Sequence, residues 1–339
     1  MKQIAWEKTE YEAGHTFGQN FDMQTLPPFL FDGQRMEFGK ACLQICRRVY
    51  PSVVEEMEGI AQGAGVELEK LSAFLFGIYA FPPFQGCSCF AAADEEEIFF
   101  GRNSDFLPAA KEQSLSSIYK IEGKKSFLAN STTPVQVEDG VNEDGLAVGL
   151  TFLFPTVRKP GLNAGLLVRY LLEHCSSVPE AIAALGALPI SSMQTLTMAD
   201  RQGRMAVVEC NCEAMEVRYP EQGERFVAAT NHFCAERLLP YQTTMPDTIH
   251  SHKRLETLEQ ALRGKDRYSR TFLQELLAGK HGFLCQYEPG RGWTPSGRRS
   301  TACAPGRHFS ALTIRRRHPS TRANVFSFDP LDKFYHPVL

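Results

Sequence analysis

The spacing of apolar positions changes several times along this chain, and each change marks an element. Between residues 34 and 80 they recur at helical spacing, with Ala41, Ile45 and Val49, then Val53, Met57 and Ile60. Pro51 divides that stretch into two helices, with Ser52 or a neighbour near the second start. Upstream, residues 5–20 read as a turn entering a helix, in which His15 is taken as a surface or satisfied histidine. At residues 85–106 two apolar runs flank Asp94-Glu95-Glu96-Glu97, the pattern of a β-hairpin. Residues 135–152 predict strand, tight turn and strand around Asn142-Glu143-Asp144-Gly145. A helix over 164–174 follows, and another begins near Ser177, where Pro179 and Glu180 supply an N-terminal signal. Short runs at 195–200, 205–210, 214–219 and 226–232, joined by turns, predict an antiparallel sheet. Helices are expected over 251–262 and 271–278. The stretch 292–322 differs. It carries Arg298-Arg299, Arg315-Arg316-Arg317, several prolines and little alternation, a composition that predicts poor order and a solvated basic tail.

Composition narrows the class. The chain has 339 residues, of which 43% are hydrophobic, enough for one large or two small domains with a substantial core. A formal net charge of -3 argues against nucleic acid or an anionic membrane as the main partner. No apolar run approaches the roughly 20 residues of a membrane helix, and Met1-Lys2-Gln3-Ile4-Ala5-Trp6-Glu7-Lys8 lacks the apolar core of a signal peptide. The 10 cysteines are dispersed, which predicts reduced thiols and a cytoplasmic address rather than a disulfide framework. Cys42 and Cys46, one helical turn apart, read as core. Cys210, Cys212, His232 and Cys234 are a zinc alternative, but tetrahedral sites favour CxxC turns, and no metal or cofactor is assigned.

The hairpin carries the candidate chemistry. Its first strand opens with Cys87, and its second ends with Arg102, Asn103 and Asp105. A hairpin folds its ends together, so the thiol and this group should lie side by side. A fixed positive charge beside a thiol raises its thiolate fraction, which a cysteine nucleophile needs. The plain alternative is a core hairpin with a buried cysteine. Pro82-Pro83 ahead of Phe84-Gln85-Gly86 predicts an extended, rigid lead-in that exposes the Gly86-Cys87 bond. Cys87 is preferred to Cys89 because it follows glycine; Arg254, in the first turn of its helix, reads by itself as a surface charge.

Four motifs in this order carry a resemblance: Gly-Cys-Ser-x-Phe, Gly-Arg-Asn-x-Asp-Phe, Asp-Gly-x-Asn-Glu-x-Gly-Leu-Ala-Val and Ala-Thr-Asn-His-Phe. Together they resemble the autoproteolytic acyltransferase/hydrolase family that includes acyl-coenzyme A:6-aminopenicillanate acyltransferase. That family is related to the choloylglycine (bile salt) hydrolases and belongs to the N-terminal-nucleophile hydrolases. The resemblance spans about residues 11–287. It implies an α+β fold, an αββα sandwich of two antiparallel sheets between helical layers. It also implies cleavage before Cys87. Residues 1–86 are then a mainly helical propeptide or small subunit, 87–290 the catalytic domain and 291–339 an atypical basic tail. Carried over to this chain, Cys87 is the nucleophile, Arg102 and Asp105 sit beside it, Asn231 donates to the oxyanion and Arg254 braces the site; Asn103 receives no role. The implied partner is a small N-acyl amide, with an acyl-donor thioester and a homo-oligomer left open. A non-catalytic remnant or binding protein of the same fold is the alternative.

Two departures qualify the resemblance. Thr151 stands where bile salt hydrolases carry asparagine, which moves the second oxyanion donor to a backbone N–H and favours the acyltransferase-like branch. After Trp293-Thr294-Pro295-Ser296 the expected C-terminal strands give way to the Arg/Pro-rich tail, so one sheet is expected to be incomplete.

Overall fold

The computed structural model describes residues 2–23, 26–81, 86–105, 115–284 and 308–315; of Asp105 and 308–315 only the backbone is described. The expected lead-in at 82–85 and the Trp293–Ser296 region lie outside these residues. The chain begins with a strand, β1 (Lys2–Lys8), which the helical reading of 1–86 missed. Four helices follow: α1 (Glu10–Gly18), α2 (Gly33–Val49), α3 (Pro51–Ala64) and α4 (Leu68–Gly77). Pro51 opens α3 at a position that requires no N–H, as its sequence predicts. Helices α1 and α3 approach until backbones touch. A Cβ on Gly14 would lie 2.2 Å from the Glu56 carbonyl oxygen, and one on Gly59 2.2 Å from that of Tyr11.

The hairpin of β2 (Gly86–Ala93) and β3 (Glu97–Asp105) comes next, then β4 (Leu115–Ile121), β5 (Phe127–Ser131), β6 (Asp139–Asn142) and β7 (Ala147–Phe152). Strands β4 and β5 carried no clear signal in the sequence. Helix α5 (Ala164–His174), capped by Asn163, and helix α6 (Val178–Ala187), capped by Ser177, precede β8 (Gln194–Ala199), β9 (Met205–Cys210), β10 (Met215–Arg218) and β11 (Phe226–Ala229). Helices α7 (Ser251–Leu262) and α8 (Arg270–Leu277) follow, and then β12 (His308–Arg315). That last strand overturns the expectation of poor order for this part of the tail. It pairs antiparallel with β3, from His308 opposite Ser104 to Arg315 opposite Glu97, and forms an edge of the small sheet, where the tail was expected to leave one sheet incomplete.

Two sheets result. One has eight strands in the order β1-β4-β5-β6-β7-β8-β9-β10, with β1 and β4 parallel; the other has four, in the order β11-β2-β3-β12. Their facing sides pack through small residues, with Cys89, Ala91, Ala93 and Ala229 against Ala147, Ala199 and Val207. The outer face of the large sheet, including Val148, Leu150, Leu196 and Val208, is covered by helical residues such as Leu167 and Leu171 of α5 and Met57 and Ile60 of α3. The outer face of the small sheet, including Phe90, Ala92 and Phe99, is covered by Leu255, Leu258 and Leu262 of α7 and Leu273 and Leu276 of α8. The order of layers is therefore helix, sheet, sheet, helix. Residues from 1–86 share the largest core with the rest of the chain, and no helix among the described residues is long and apolar enough to cross a membrane.

Candidate active site

Alternation along β2 separates two roles. Cys87, Cys89 and Ala91 point between the sheets, while Ser88, Phe90 and Ala92 point toward α7 and α8. Cys87 lies opposite Ser104, and Cys89 opposite Arg102, so the hairpin brings thiol and guanidinium together as its sequence predicts. Arg102 is 2% exposed, and its Nη2 donates to Cys87 Sγ at 3.3 Å. Its Nε donates to the Leu150 carbonyl at 2.7 Å, and its Nη1 meets Glu138 and Asp139, each at 3.1 Å, and the Ser104 hydroxyl. Burial by itself lowers the pKa of a guanidinium. The Cys87 sulfur and the two carboxylates outweigh burial and hold Arg102 well above its ordinary value.

Gly149 of β7 makes room for this cluster. A Cβ there would lie 2.8 Å from the Phe100 ring and 3.2 Å from both Arg102 Cδ and Asp139 Cβ.

The other side of Cys87 is built from β11 and α7. The Cys87 backbone N–H donates to Asn231 Oδ1 at 2.8 Å. Arg254 is fully buried, which corrects its reading as a surface charge. Its Nη2 donates to Asn231 Oδ1 at 2.6 Å, and its Nη1 to Ser88 Oγ at 2.8 Å and to the Cys87 carbonyl. Asn231 Nδ2 donates to the Phe152 carbonyl at 2.6 Å, and the Asn231 backbone N–H to Ser251 Oγ at 2.8 Å. Ser251 sits in the first turn of α7, whose start is anchored by Asp247 accepting from the backbone N–H groups of Ser251 and His252. His232 Nδ1 is 2.7 Å from Ser251 Oγ, and its ring lies 3.9 Å from that of His252. Burial first, and then the neighbouring His252, lowers the pKa of His232 to about 4.

The structure thus brings together Cys87, Arg102, Asn231 and Arg254. The Asp105 backbone pairs opposite Gly86, at the strand end beside them. Asn103, given no role, donates to the Leu277 carbonyl at 2.9 Å and ties β3 to α8. Thr151 is buried with its hydroxyl on the Thr230 carbonyl and 2.6 Å from Thr195 Oγ1, so its side chain serves the sheet. Among the described residues no group of three or more histidines, cysteines or acids is arranged to hold a metal ion. Cys210 meets Gln194 instead, at 3.1 Å. Cys42 and Cys46 lie in the core with thiols pushed up to about 12 by burial.

Glu138, Asp139, Ser104 and Ser251 were not singled out from sequence. One signal was available: Glu138 and Asp139 lead into a short β run, and carboxylates carried into a sheet need a cation.

Helix, sheet, sheet, helix, with a thiol at the head of an inner strand, is the architecture of the N-terminal-nucleophile hydrolases. The chain belongs to the acyl-coenzyme A:6-aminopenicillanic acid acyl-transferase family, whose model matches residues 92–291 and so begins just after Cys87. No curated protein matches the chain in sequence. Among solved structures it is similar to an N-acylethanolamine-hydrolyzing acid amidase ortholog from Caenorhabditis elegans, at 17% identity and a TM-score of 0.43, covering 57% of this chain and 86% of that one. A penicillin V acylase from Agrobacterium tumefaciens follows at 16% identity and a TM-score of 0.43, covering 56% and 70%. A variant of conjugated bile acid hydrolase from Clostridium perfringens gives 15% identity and a TM-score of 0.40, covering 56% and 78%.

Proposed function

We propose that this protein is a cysteine N-terminal-nucleophile hydrolase that cuts its own Gly86-Cys87 bond. The mature protein then breaks a linear amide of a small N-acyl substrate, or transfers the acyl group, through a Cys87 thioester. One observation carries the reading: a single residue presents its sulfur to Arg102 at 3.3 Å and its backbone nitrogen to Asn231 at 2.8 Å. After cleavage that nitrogen is an α-amine, with an ordinary pKa of about 7.7 to 8.0, and can take the thiol proton at neutral pH. Nucleophile and base are then two atoms of one residue.

In maturation the Cys87 sulfur attacks the Gly86 carbonyl carbon. The S–C bond forms, the C–N bond breaks, and the departing nitrogen takes a proton to become the α-amine. Water resolves the thioester to a Gly86 carboxylate and a free thiol. In turnover the α-amine accepts the thiol proton, sulfur attacks the substrate carbonyl, and the amine returns the proton to the leaving nitrogen. Water or a second amine then takes the acyl group.

Asn231 holds the α-amine through Oδ1. Its amide has two N–H bonds; one goes to Phe152, and the other is the oxyanion donor in this reading. Such a donor is worth about 3 to 4 kcal/mol. Arg254 fixes Asn231, Arg102 faces the sulfur, and Asp105 steadies the ammonium or the guanidinium from the strand end.

The test is intact mass of purified protein with an assay on N-acyl amino acids, penicillins and conjugated bile acids. Two fragments split before Cys87, lost in Cys87→Ala, are the expected result. A single intact mass together with no turnover on the panel supports the non-catalytic alternative.

A further inference from the structure

The groups behind Arg102 leave it little freedom. Glu138 is buried and accepts from four groups. Oε2 takes Arg102 Nη1 at 3.1 Å and Ser104 Oγ at 2.9 Å; Oε1 takes the Thr132 N–H at 3.1 Å and its hydroxyl at 2.8 Å. Asp139 does the same on its other side, with Oδ2 on Arg102 Nη1 at 3.1 Å and Oδ1 on Asn130 Nδ2 at 2.7 Å. The backbone closes the frame, with the Glu138 N–H on the Asn130 carbonyl at 2.8 Å and the Leu150 N–H on the Glu138 carbonyl at 2.9 Å. The Leu150 carbonyl in turn takes Arg102 Nε. Both carboxylates and the Ser104 hydroxyl thus converge on Nη1, and the carbonyl holds Nε. The nitrogen directed at sulfur is Nη2.

We infer that Glu138, backed by Asp139 and Thr132, is a positioning residue of the reaction, fixing the Arg102 guanidinium so that Nη2 is presented to the Cys87 sulfur. This rests on the hydrolase reading of Cys87. A guanidinium rotates about several side-chain bonds, and a planar fork is directional only when its other nitrogens are held. Two carboxylates on one nitrogen also neutralise much of the arginine's charge, which places the weight of the arrangement on direction.

The pH dependence of Cys87 alkylation by iodoacetamide, read by mass on the cleaved protein, tests this without a known substrate. In Glu138→Gln the glutamine keeps a polar group for Ser104 and Thr132 but loses the ionic hold on Nη1. The expected result is a profile displaced to higher pH, with turnover lowered on the order of tenfold or more. A profile that is unmoved, or displaced to lower pH because a negative charge has gone, overturns the inference. Should Glu138→Gln not fold, Thr132→Val removes one hydroxyl from Oε1 and is expected to displace the profile in the same direction by less; an unchanged profile in that variant overturns it equally. Wild-type Cys87 that neither splits from Gly86 nor alkylates sinks the hydrolase reading itself, whereas a reactive Cys87 indifferent to Glu138 sinks only this inference.

Discussion

Two buried arginines in this protein are each paired with two carboxylates, and only one of the two touches a thiol. Arg169 on α5 is fully buried; its Nη2 and Nη1 bind Glu56 of α3 at 2.5 and 2.9 Å, its Nε binds Glu173 at 2.8 Å, its Nη1 also binds the Val135 carbonyl at 3.0 Å, and its guanidinium lies 4.7 Å from the Tyr119 ring centre. Lys124 joins this group through Glu173 at 2.9 Å and Glu10 at 2.6 Å. Every one of these contacts ends on a fixed oxygen or a ring, and several of them run from residues 1–86 to the rest of the chain. Arg102 has the same composition of partners, but one of its nitrogens ends on sulfur. A buried ion-pair network is a clamp when all its hydrogen bonds are spent on framework atoms. It becomes chemistry when one is spent on an atom that can form a bond.

The sharpest way to break this comparison is to remove each cation in turn. Arg169→Met strands Glu56 and Glu173, and Arg102→Met strands Glu138 and Asp139. Removing one partner of a buried pair costs about 3 to 5 kcal/mol, so denaturant unfolding should show comparable losses for both variants. They should part on chemistry. Cys87 alkylation and turnover per folded molecule are expected to persist in Arg169→Met and to fall on the order of a hundredfold or more in Arg102→Met, the scale of one lost electrostatic contact at a reacting centre. Equal chemical losses would mean that Arg102 too is only a clamp.

A smaller effect is expected on the Asn231 side of the site, where titration rather than deletion is the probe. His232 is held uncharged by burial and by His252, with its pKa lowered to about 4. An unfolded histidine takes up its proton near pH 6.5. Because the folded value is depressed, the stability it contributes is present above about pH 6.5 and is lost as pH falls toward 4. The loss is on the order of 3 kcal/mol. Thermal midpoints measured between pH 7 and pH 4 should therefore decline in the wild type and decline less in His232→Asn. Since His232 meets Ser251, which holds the Asn231 backbone, turnover should fall over the same interval ahead of global unfolding. A wild type and variant with parallel stability profiles would remove His232 from this account.

Much of the chain from Cys87 onward was legible because its signals are local. The hairpin is written in two apolar runs and an acidic turn, α5 to α7 in periodicity and caps, and Cys87, Arg102, Asn231 and Arg254 in short motifs. What was not legible depends on distant pairing. Strand β1 became visible only through its parallel partner β4, and β12 through β3, because eight residues between arginine-rich flanks carry too weak an alternation to be read alone. Arg254 looked like a surface charge since its helix exposes other polar residues; its burial follows from the approach of α7 to β2, which no local pattern encodes. Asp139 opens a motif already in view and Glu138 immediately precedes it, but their contact with Arg102 exists only because the start of β6 and β3, on different sheets, come together.

The smallest expected effect separates the two thiols of β2. Cys89 shares the inner face with Cys87 and lies opposite Arg102 in register, so proximity to the guanidinium does not by itself distinguish them. Burial does. Cys89 is fully enclosed among Ala91, Phe100 and Val207, and burial pushes its thiol up to about 12 despite the nearby Arg102, leaving negligible thiolate at neutral pH. Nor does the backbone N–H of Cys89 meet Asn231; in the hairpin that position belongs to Cys87, where β2 begins. Cys89→Ala should then split before Cys87 and turn over as the wild type does, with a stability loss of about 1 kcal/mol from a small void at the sheet interface. Mass spectrometry and an unfolding curve on one preparation check both halves. If Cys89→Ala fails to split while Cys87→Ala still splits, the wrong sulfur has been placed beside the amine, and the contrast between Arg102 and Arg169 loses its chemical half.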